Sequence, residues 1–316
     1  MSIANPHIHA PQALEKDHKL RLYATYASVS VAVLLIAIKF IAFVMTNSVS
    51  LLASLMDSTI DALASIITMY SVRHAIEPAD EQHRYGHGKI ESLAALAQAM
   101  FILSSAIFLL FEAVNRFTHP SDINHTSVGV GVMVISIVLT LALVVFQTYV
   151  VRKTKSAAID ADSLHYKGDL LMNTGVIIAL LLSAQFHWQW VDPVFAVLIA
   201  FILIGSVIEI CRQSFDILLD KEIDKEDRQR IMDIVTAHPK AQHIHDLRTR
   251  DSGHVLFIEF HLEMDGNMSL QKAHDVTEDL ERKLYDAFPK AEVLIHQEPA
   301  GIDDDRLDTR ITEHHH

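Results

Sequence analysis

Two aspartates stand four residues apart in a stretch of chain that is otherwise apolar. They are Asp57 and Asp61, in LLASLMDSTIDALAS. A carboxylate near the centre of a bilayer costs about 2.5–3.5 kcal/mol, and such residues commonly serve an ion or a proton. Because residues four apart share one face of a helix, both carboxylates point the same way. The pair therefore predicts a bound cation.

A histidine and an aspartate repeat this spacing further along the chain. His165 and Asp169 occur in HYKGD and also share one helix face. If the two helices pack face to face, one imidazole and three carboxylates converge. These are ligand types that Zn²⁺ takes in a tetrahedral shell, so the four residues together predict a metal site.

An alternative interpretation needs no metal. Asp57 and Asp61 could pair with Lys39 or Lys167, or line a water-filled crevice. Two bases do not account for three acids and a histidine at matched spacing, so the metal site is favoured.

Two other regions carry possible metal ligands. The loop DEQHRYGHG holds Asp80, His83 and His87 at spacings of three and four residues, which can bring them to one ion. Three ligands would leave its coordination shell open to water or to a neighbour. The alternative is an ordinary solvated loop.

The C-terminal region is the second region with possible metal ligands. In HVLFIEFHLEM apolar residues occupy every second position, which places His261 on the opposite face of the strand. The last predicted strand places His296 and Glu298 on one face. Together with His245 and His274 they form a set of imidazoles and a carboxylate suited to borderline divalent metals.

Long apolar runs must position the first of these sites. The 316 residues are 50% hydrophobic, with a mean hydropathy of +0.24, and the apolar residues are gathered rather than dispersed. Six runs are long enough to predict membrane-spanning helices. They cover residues 22–45, 49–72, 92–111, 126–151, 170–186 and 193–208.

The distribution of charge predicts the orientation. Basic residues concentrate in the loops between spans two and three and between spans four and five, which places both termini in the cytoplasm. The net charge of -13 comes mostly from the last hundred residues. This acidity favours a cationic partner and argues against nucleic acid.

After Asp220 the membrane pattern gives way to short amphipathic elements in the order αββαβ. The sequence thus predicts six transmembrane helices followed by a small cytoplasmic α+β domain, close to a ferredoxin-like or metallochaperone-like fold. The predicted segments are a cytoplasmic N-terminal segment (1–19), the transmembrane domain (20–219), the metal-binding domain (220–300) and a disordered tail (301–316). The closing EHHH resembles a truncated purification tag and is excluded from the sites.

The combined pattern resembles the cation diffusion facilitator family. The DxxxD and HxxxD pairs, the six spans and the αββαβ tail carry this likeness. Longer stretches resemble its bacterial zinc and ferrous-iron efflux members, from about Leu20 to Pro299. These stretches are EPADEQHRYGHGKIESLAALAQAMFI, DADSLHYKGDLLMN, HDLRTRDSGH, HLEM and IHQEP.

The resemblance assigns roles to the candidate ligands. It implies a transport site made of Asp57, Asp61, His165 and Asp169, and a loop site made of Asp80, His83 and His87. It implies a cytoplasmic binuclear site made of His245, His261, His274, His296 and Glu298, with Asp246 as a less certain member. Glu298 stands where close relatives carry aspartate, which leaves open whether it bridges two ions or binds one.

The resemblance also implies a homodimer. Lys89 and Asp220 would form a charge interlock near the dimer interface, and residues 220–300 would mediate dimerisation. His243 and His254 are interpreted as surface residues.

The function expected from these features is export of Zn²⁺ from the cytoplasm in exchange for protons, across the inner membrane of a bacterium. Fe²⁺ and Cd²⁺ are further candidate ions, and Zn²⁺ would also be a structural or regulatory ion. Metal and protons compete for carboxylates and imidazole, so a proton gradient can drive the metal out. The rival interpretations are an intramembrane metalloenzyme and a metal sensor without transport. The sequence contains no HExxH motif to support the metalloenzyme, and no enzymatic activity is expected.

The remaining candidates are interpreted as structural or solvated. Cys211 is the only cysteine, so a disulfide within the chain is impossible and a packed thiol is expected. The histidines without a matched partner are His7, His9, His119, His125, His187 and His238.

Overall fold

The computed structural model describes residues 11–118, 127–186, 190–301, 306–308 and 310. Two compact units result, one spanning Lys16–Phe215 and the other beginning at Asp216. Five of the unmatched histidines lie outside the described residues, as does most of the predicted tail. These histidines are His7, His9, His119, His125 and His187.

The N-terminal unit consists of long helices. They are α1 (Pro11–Thr46), α2 (Val49–Ala75), α3 (Ile90–Thr118), α4 (Ser127–Thr154), α5 (Ala157–Phe186) and α6 (Val191–Leu218). Five of them, all except α5, are long and apolar enough to cross a membrane. The prediction of a helical membrane domain is confirmed.

The fifth helix differs from the other five. It has 30 residues and packs against α2, α3 and α4, but its first half carries a run of ionisable side chains. These are Asp160, Asp162, His165, Lys167 and Asp169. Because these charges lower its apolar character, α5 as a sixth span stays a prediction.

Side chains of α6 pack over two glycines of α5. A Cβ added at Gly168 would lie 3.0 Å from a methyl carbon of Leu203, and one at Gly175 would lie 3.2 Å from Cδ1 of Ile199. Gly168 directly precedes Asp169, so the contact helps to fix the position of that carboxylate.

A buried carboxylate on α5 joins five helices, and the sequence patterns did not single it out. Asp162 accepts hydrogen bonds from Ser28 of α1 (2.6 Å) and Gln147 of α4 (2.7 Å). It also accepts from Ser65 of α2 (3.2 Å) and Gln98 of α3 (3.4 Å). Since Asp162 lies about one turn before His165, this network holds the part of α5 that carries the predicted ligands.

A second buried network ties the start of α1 to distant parts of the chain. Arg21 is 1% exposed, and its two terminal nitrogens lie 2.7 Å from Oε1 of Glu91 and 2.6 Å from the carbonyl of Thr154. The hydroxyl of Ser156 donates to the other oxygen of Glu91. The α4–α5 turn is therefore attached to both α1 and α3.

The C-terminal unit has the predicted order αββαβ, which is confirmed. Its elements are α7 (Lys225–Thr236), β1 (His243–Asp251), β2 (Leu256–Met264), α8 (Leu270–Ala287) and β3 (Ala291–Pro299). The central strand β2 pairs antiparallel with β1 and parallel with β3. The helices cover one face of the sheet, and the core includes Ile231, Val235, Ile258, Phe260, Leu262, Leu280 and Leu284.

The strand register aligns three histidines in one row across the sheet. His245 is opposite His261, and His261 is opposite His296. Side chains directly opposite each other on neighbouring strands point to the same face. A bulge follows His245, where the register shifts before Arg248 and Asp246 takes a left-handed backbone with φ 53°.

Candidate metal sites

The membrane cluster lies between α2 and α5. Nε2 of His165 is 2.8 Å from Oδ1 of Asp61 and 3.8 Å from Oδ2 of Asp169, and one ligand atom of each residue lies within 4.8 Å of the others. The side chains are 9%, 18% and 24% exposed for His165, Asp61 and Asp169. One imidazole and two carboxylates are thus positioned to hold one cation.

Asp57 is not part of this group. It lies one turn earlier on α2 and is exposed in the chain. The structure therefore brings together three of the four predicted transport ligands. Asp57 could join only through a change in its side chain or in the spacing of α2 and α5.

The lysines make no direct ion pair with these aspartates in the part of the chain that the structure describes. Lys39 donates instead to the hydroxyl of Ser58 (2.6 Å) and to the carbonyl of Ser54 (3.2 Å). Within the described residues, no ion pair of 4.0 Å or less joins Lys39 or Lys167 to Asp57 or Asp61. The ion-pairing alternative therefore lacks its contacts.

The loop between α2 and α3 forms a compact turn around Asp80. Oδ1 of Asp80 accepts the backbone N–H groups of Gln82 (2.8 Å) and His83 (2.6 Å). Gly86 has φ 78°, a conformation that suits glycine, and the chain then returns so that Nε2 of His87 lies 3.3 Å from Oδ2 of Asp80. The rings of His83 and His87 are 4.6 Å apart between centroids.

The pKa of Asp80 is held below its usual value. The largest cause is the hydrogen bond from the N–H of His83. The hydrogen bond from the N–H of Gln82 and the nearby imidazoles also lower the pKa, whereas burial raises it. An ionised carboxylate beside two imidazoles is a suitable ligand set for a divalent metal. The three predicted loop residues are brought together.

His74 lies beside this loop and was not predicted from the sequence. Its ring centroid is 4.6 Å from that of His87, and its Nδ1 is 2.7 Å from a carboxylate oxygen of Glu77. His74 belongs to the last turn of α2. Its distance of six residues from Asp80 in the chain falls outside the three-and-four spacing that identified the others.

Glu298 lies at the centre of the cytoplasmic cluster. Its Oε2 is 3.1 Å from Nε2 of His245. Its Oε1 is 2.7 Å from Nδ1 of His261 and 3.3 Å from Nε2 of His296. Because the two oxygens face different histidines, the geometry suits a carboxylate that bridges two ions.

Two possible ligand groups overlap in this cluster. One consists of His245, Asp246 and His261, and the other of His261, His296 and Glu298. Burial acts to raise the pKa of Asp246, but hydrogen bonds from two backbone N–H groups and the nearby imidazoles hold it below its usual value. Asp246 is therefore an anion next to His245.

Three other histidines of the C-terminal unit lie outside these groups. His274 is exposed on α8 and is not among the clustered ligands of the described residues. His243 is exposed, with its ring centroid 6.2 Å from that of His245. His254 is partly buried in the β1–β2 turn.

His238 has a structural environment. It is 9% exposed, its Nδ1 accepts the N–H of Lys240 (3.2 Å), and its Nε2 lies 3.6 Å from Asp279. Cys211 packs partly buried against the core formed by α3, α5 and α6. Lys89 and Asp220 belong to the two separate units, so their interlock stays a prediction.

Apolar helices enclose carboxylates and an imidazole, and the chain continues into an α+β domain rich in histidine. This combination defines a class of membrane protein that handles cations. Comparison with known families gives the same result in more detail. Residues 25–219 match the family described as the cation efflux transmembrane domain, and residues 223–300 match the cation efflux protein cytoplasmic domain. The chain belongs to the cation efflux family, also called cation diffusion facilitators, and is a transporter rather than an enzyme.

Individual relatives cover nearly the whole chain. The cation-efflux pump FieF of Shewanella oneidensis is 49% identical over 292 residues, which are 92% of this chain and 98% of that protein. FieF of Salmonella arizonae is 44% identical over 279 residues, 88% and 93% of the two chains. Among solved structures, the metal-bound C-terminal domain of the CzcD transporter from Thermotoga maritima is 30% identical over 26% of this chain and all of that one, with a TM-score of 0.23.

Proposed function

We propose that this transporter exports Zn²⁺ from the cytoplasm in exchange for protons, with Fe²⁺ and Cd²⁺ as further substrates. The observation that carries the proposal is the contact of 2.8 Å between His165 and Asp61, with Asp169 beside them, on two helices of the membrane domain. Imidazole and carboxylates form a shell that suits Zn²⁺ better than the harder cations, which prefer oxygen ligands alone.

The same ligands supply the coupling to protons. Nitrogen and oxygen must lose their protons to hold a metal, so metal and protons compete for one set of atoms. A site that opens to the cytoplasm would take metal and release protons, and a site that opens to the other side would do the reverse. Movement of helices about a fixed site is a common way to alternate access.

The remaining parts of the proposal concern the other sites and the assembly. The loop and cytoplasmic clusters would hold Zn²⁺ as a structural or regulatory ion. The protein would be a homodimer in the inner membrane of a bacterium, with both termini in the cytoplasm, six spans and a Lys89–Asp220 interlock. The cytoplasmic-domain family that matches residues 223–300 is named for a dimer, and this supports the homodimer.

Reconstituted vesicles test the function. The protein is placed in vesicles with a pH-sensitive dye inside, and a Zn²⁺ gradient is applied. We expect proton movement opposite to the metal, with no comparable movement when Mg²⁺ replaces Zn²⁺. Zinc flux without proton flux would contradict antiport, and neither flux would favour a sensor.

A further inference from the structure

A short piece of chain beyond the family-matched residues contacts the cytoplasmic cluster. It consists of Arg306, Leu307 and Asp308, here called the C-terminal segment, and the family match ends at residue 300. Its contacts are with Asp246 and Glu263, which lie on β1 and β2 within the same unit.

Asp246 and the segment hold each other by reciprocal hydrogen bonds. The backbone N–H groups of Leu307 and Asp308 each donate to one oxygen of Asp246, at 3.0 Å. In return, the N–H of Asp246 donates to the carboxylate of Asp308 at 2.8 Å. Asp246 is 7% exposed, so the two bonds that it accepts are hydrogen bonds to a buried charge, which are among the stronger ones.

Arg306 brings a positive charge to the opposite side of His245. Its guanidinium nitrogen lies 2.6 Å from Oε1 of Glu263. The same oxygen is 3.7 Å from Nε2 of His245. A guanidinium is therefore paired with a carboxylate that would otherwise stabilise a metal cation at that imidazole.

His245 lacks a partner on its other nitrogen. Nδ1 of His245 is buried, and within the described residues it has no hydrogen-bond partner. The nearest oxygen of Asp246 is 3.9 Å away, too far for a hydrogen bond. A histidine that binds metal through one nitrogen almost always donates its other N–H to a carboxylate, carbonyl or water. Asp246 is the carboxylate in place for this, but in the conformation that bonds to the segment its nearest oxygen stays 3.9 Å from Nδ1.

We propose that the C-terminal segment competes with divalent metal for the His245 part of the cytoplasmic cluster. The docked segment keeps Asp246 from Nδ1 of His245 and sets Arg306 on Glu263. Release of the segment lets Asp246 accept the Nδ1–H bond and removes the guanidinium, and both changes favour metal on Nε2. By linkage, metal binding must then favour release of the segment to the same extent. This inference rests on the proposed metal-binding role of the cluster.

The first experiment measures zinc affinity in the full chain. Asp61→Ala and His83→Ala are introduced throughout to silence the other two sites, and Zn²⁺ is titrated calorimetrically in detergent. Arg306→Ala with Asp308→Ala should tighten zinc binding about tenfold, the lower end of the usual effect of an outer-shell partner. Arg306→Lys keeps the charge on Glu263 and is the matched control, expected to stay near wild type.

A truncation after Gly301 removes the segment entirely and should tighten binding at least as much. It is compared with a full-length chain in which His314, His315 and His316 are alanine, so that the terminal histidines do not contribute. Equal affinity in all chains would overturn the competition while leaving the metal site intact. Weaker binding after truncation would overturn it too, because the segment would then be supporting Asp246. No zinc binding in any chain would overturn the site and the competition together.

The second experiment measures release of the segment. Trypsin cleaves after Arg306, and a docked segment protects this bond. Zn²⁺ should accelerate the cleavage several-fold relative to the same concentration of Mg²⁺, which a nitrogen-rich site binds poorly. A rate that Zn²⁺ leaves unchanged or lowers would contradict the proposal.

Discussion

The membrane cluster and the cytoplasmic cluster use the same ligand types in opposite proportions. Between α2 and α5, two carboxylates surround one imidazole. In the sheet, three imidazoles surround the carboxylate of Glu298. Nitrogen suits Zn²⁺ and its neighbours, whereas oxygen alone suits harder ions. Under the proposed function, the site that would release its ion on every cycle is thus poorer in nitrogen than the one that would retain it.

The two clusters also differ in how their ligands are held. Those in the membrane come from two separate helices, so a small shift of α2 against α5 changes the distances from Asp61 to His165 and Asp169. Those in the sheet are set by the hydrogen-bonded register of three strands. The first arrangement suits a site that opens and closes, and the second suits a site of fixed shape.

The largest effect is expected from Asp61→Ala. Losing this carboxylate removes one of three clustered ligands, and should reduce zinc transport by roughly 100-fold or more, since even outer-shell changes cost about 10- to 100-fold. Zinc bound by the C-terminal unit should be unchanged because the clusters share no ligand. Transport is measured in vesicles and bound zinc by elemental analysis.

Thr59→Ala is the control for this change. Thr59 is exposed on the same helix, and within the described residues its hydroxyl bonds only to the carbonyl of Leu55. It should transport as the wild type does. Retained transport in Asp61→Ala would remove α2 from the transport site.

His165→Asp should have the next largest effect, on selectivity. It makes the membrane cluster all oxygen while keeping a ligand at that position. We expect the preference for Zn²⁺ over Mn²⁺ to fall about tenfold, equivalent to about 1.4 kcal/mol, and the pH dependence of transport to change. Competitive fluxes of the two ions across a pH series measure both. If neither changes, His165 is not a ligand.

Glu298→Gln tests the other cluster. The amide keeps the size of the side chain but removes the charge that faces His245, His261 and His296. Zinc affinity of the C-terminal unit should fall about tenfold or more, while transport at saturating zinc persists. Glu292→Gln, an exposed position on the same strand, should leave the affinity as it is. Equal affinities in the two variants would show that Glu298 does not bind the metal.

The smallest effect concerns His238, which lies outside both clusters. Burial, followed by the charge of Lys283, lowers its pKa below the usual 6.5, and Asp279 only partly opposes this. The unfolded chain therefore binds the proton more readily. The contribution of His238 to the free energy of unfolding is fully present above pH 6.5 and decreases as the pH falls below this value.

His238→Asn should reduce that decrease. The asparagine oxygen can still accept the N–H of Lys240, but it does not titrate. In the presence of a chelator, the thermal unfolding midpoint should fall between pH 7.5 and pH 5.5 by a few degrees less in the variant than in the wild type. An identical fall would mean that the other histidines account for the whole pH dependence.

Much of this arrangement was predictable because it depends on periodicity. The spacing of four residues in the α2 and α5 pairs placed their ligands on facing helix surfaces, and alternation placed Phe260 in the core with His261 opposite. The αββαβ order followed from the same patterns.

The rest depended on contacts between distant residues. No local pattern gives the strand register that aligns His245 with His261, or the docking of Leu307 on Asp246. Asp162 was missed because its partners come from four other helices. The spacing that found Asp61 also included Asp57, although only one of them reaches His165.

The buried pair of Arg21 and Glu91 has a consequence for how the protein is made. Arg21 lies in α1, which leaves the ribosome before α3, and its partner is encoded 70 residues later. At the usual rate of synthesis this is a delay of roughly 4 to 14 s. During this interval the guanidinium must stay among water or lipid headgroups. The first helix can therefore complete this contact only after the start of α3 has been made.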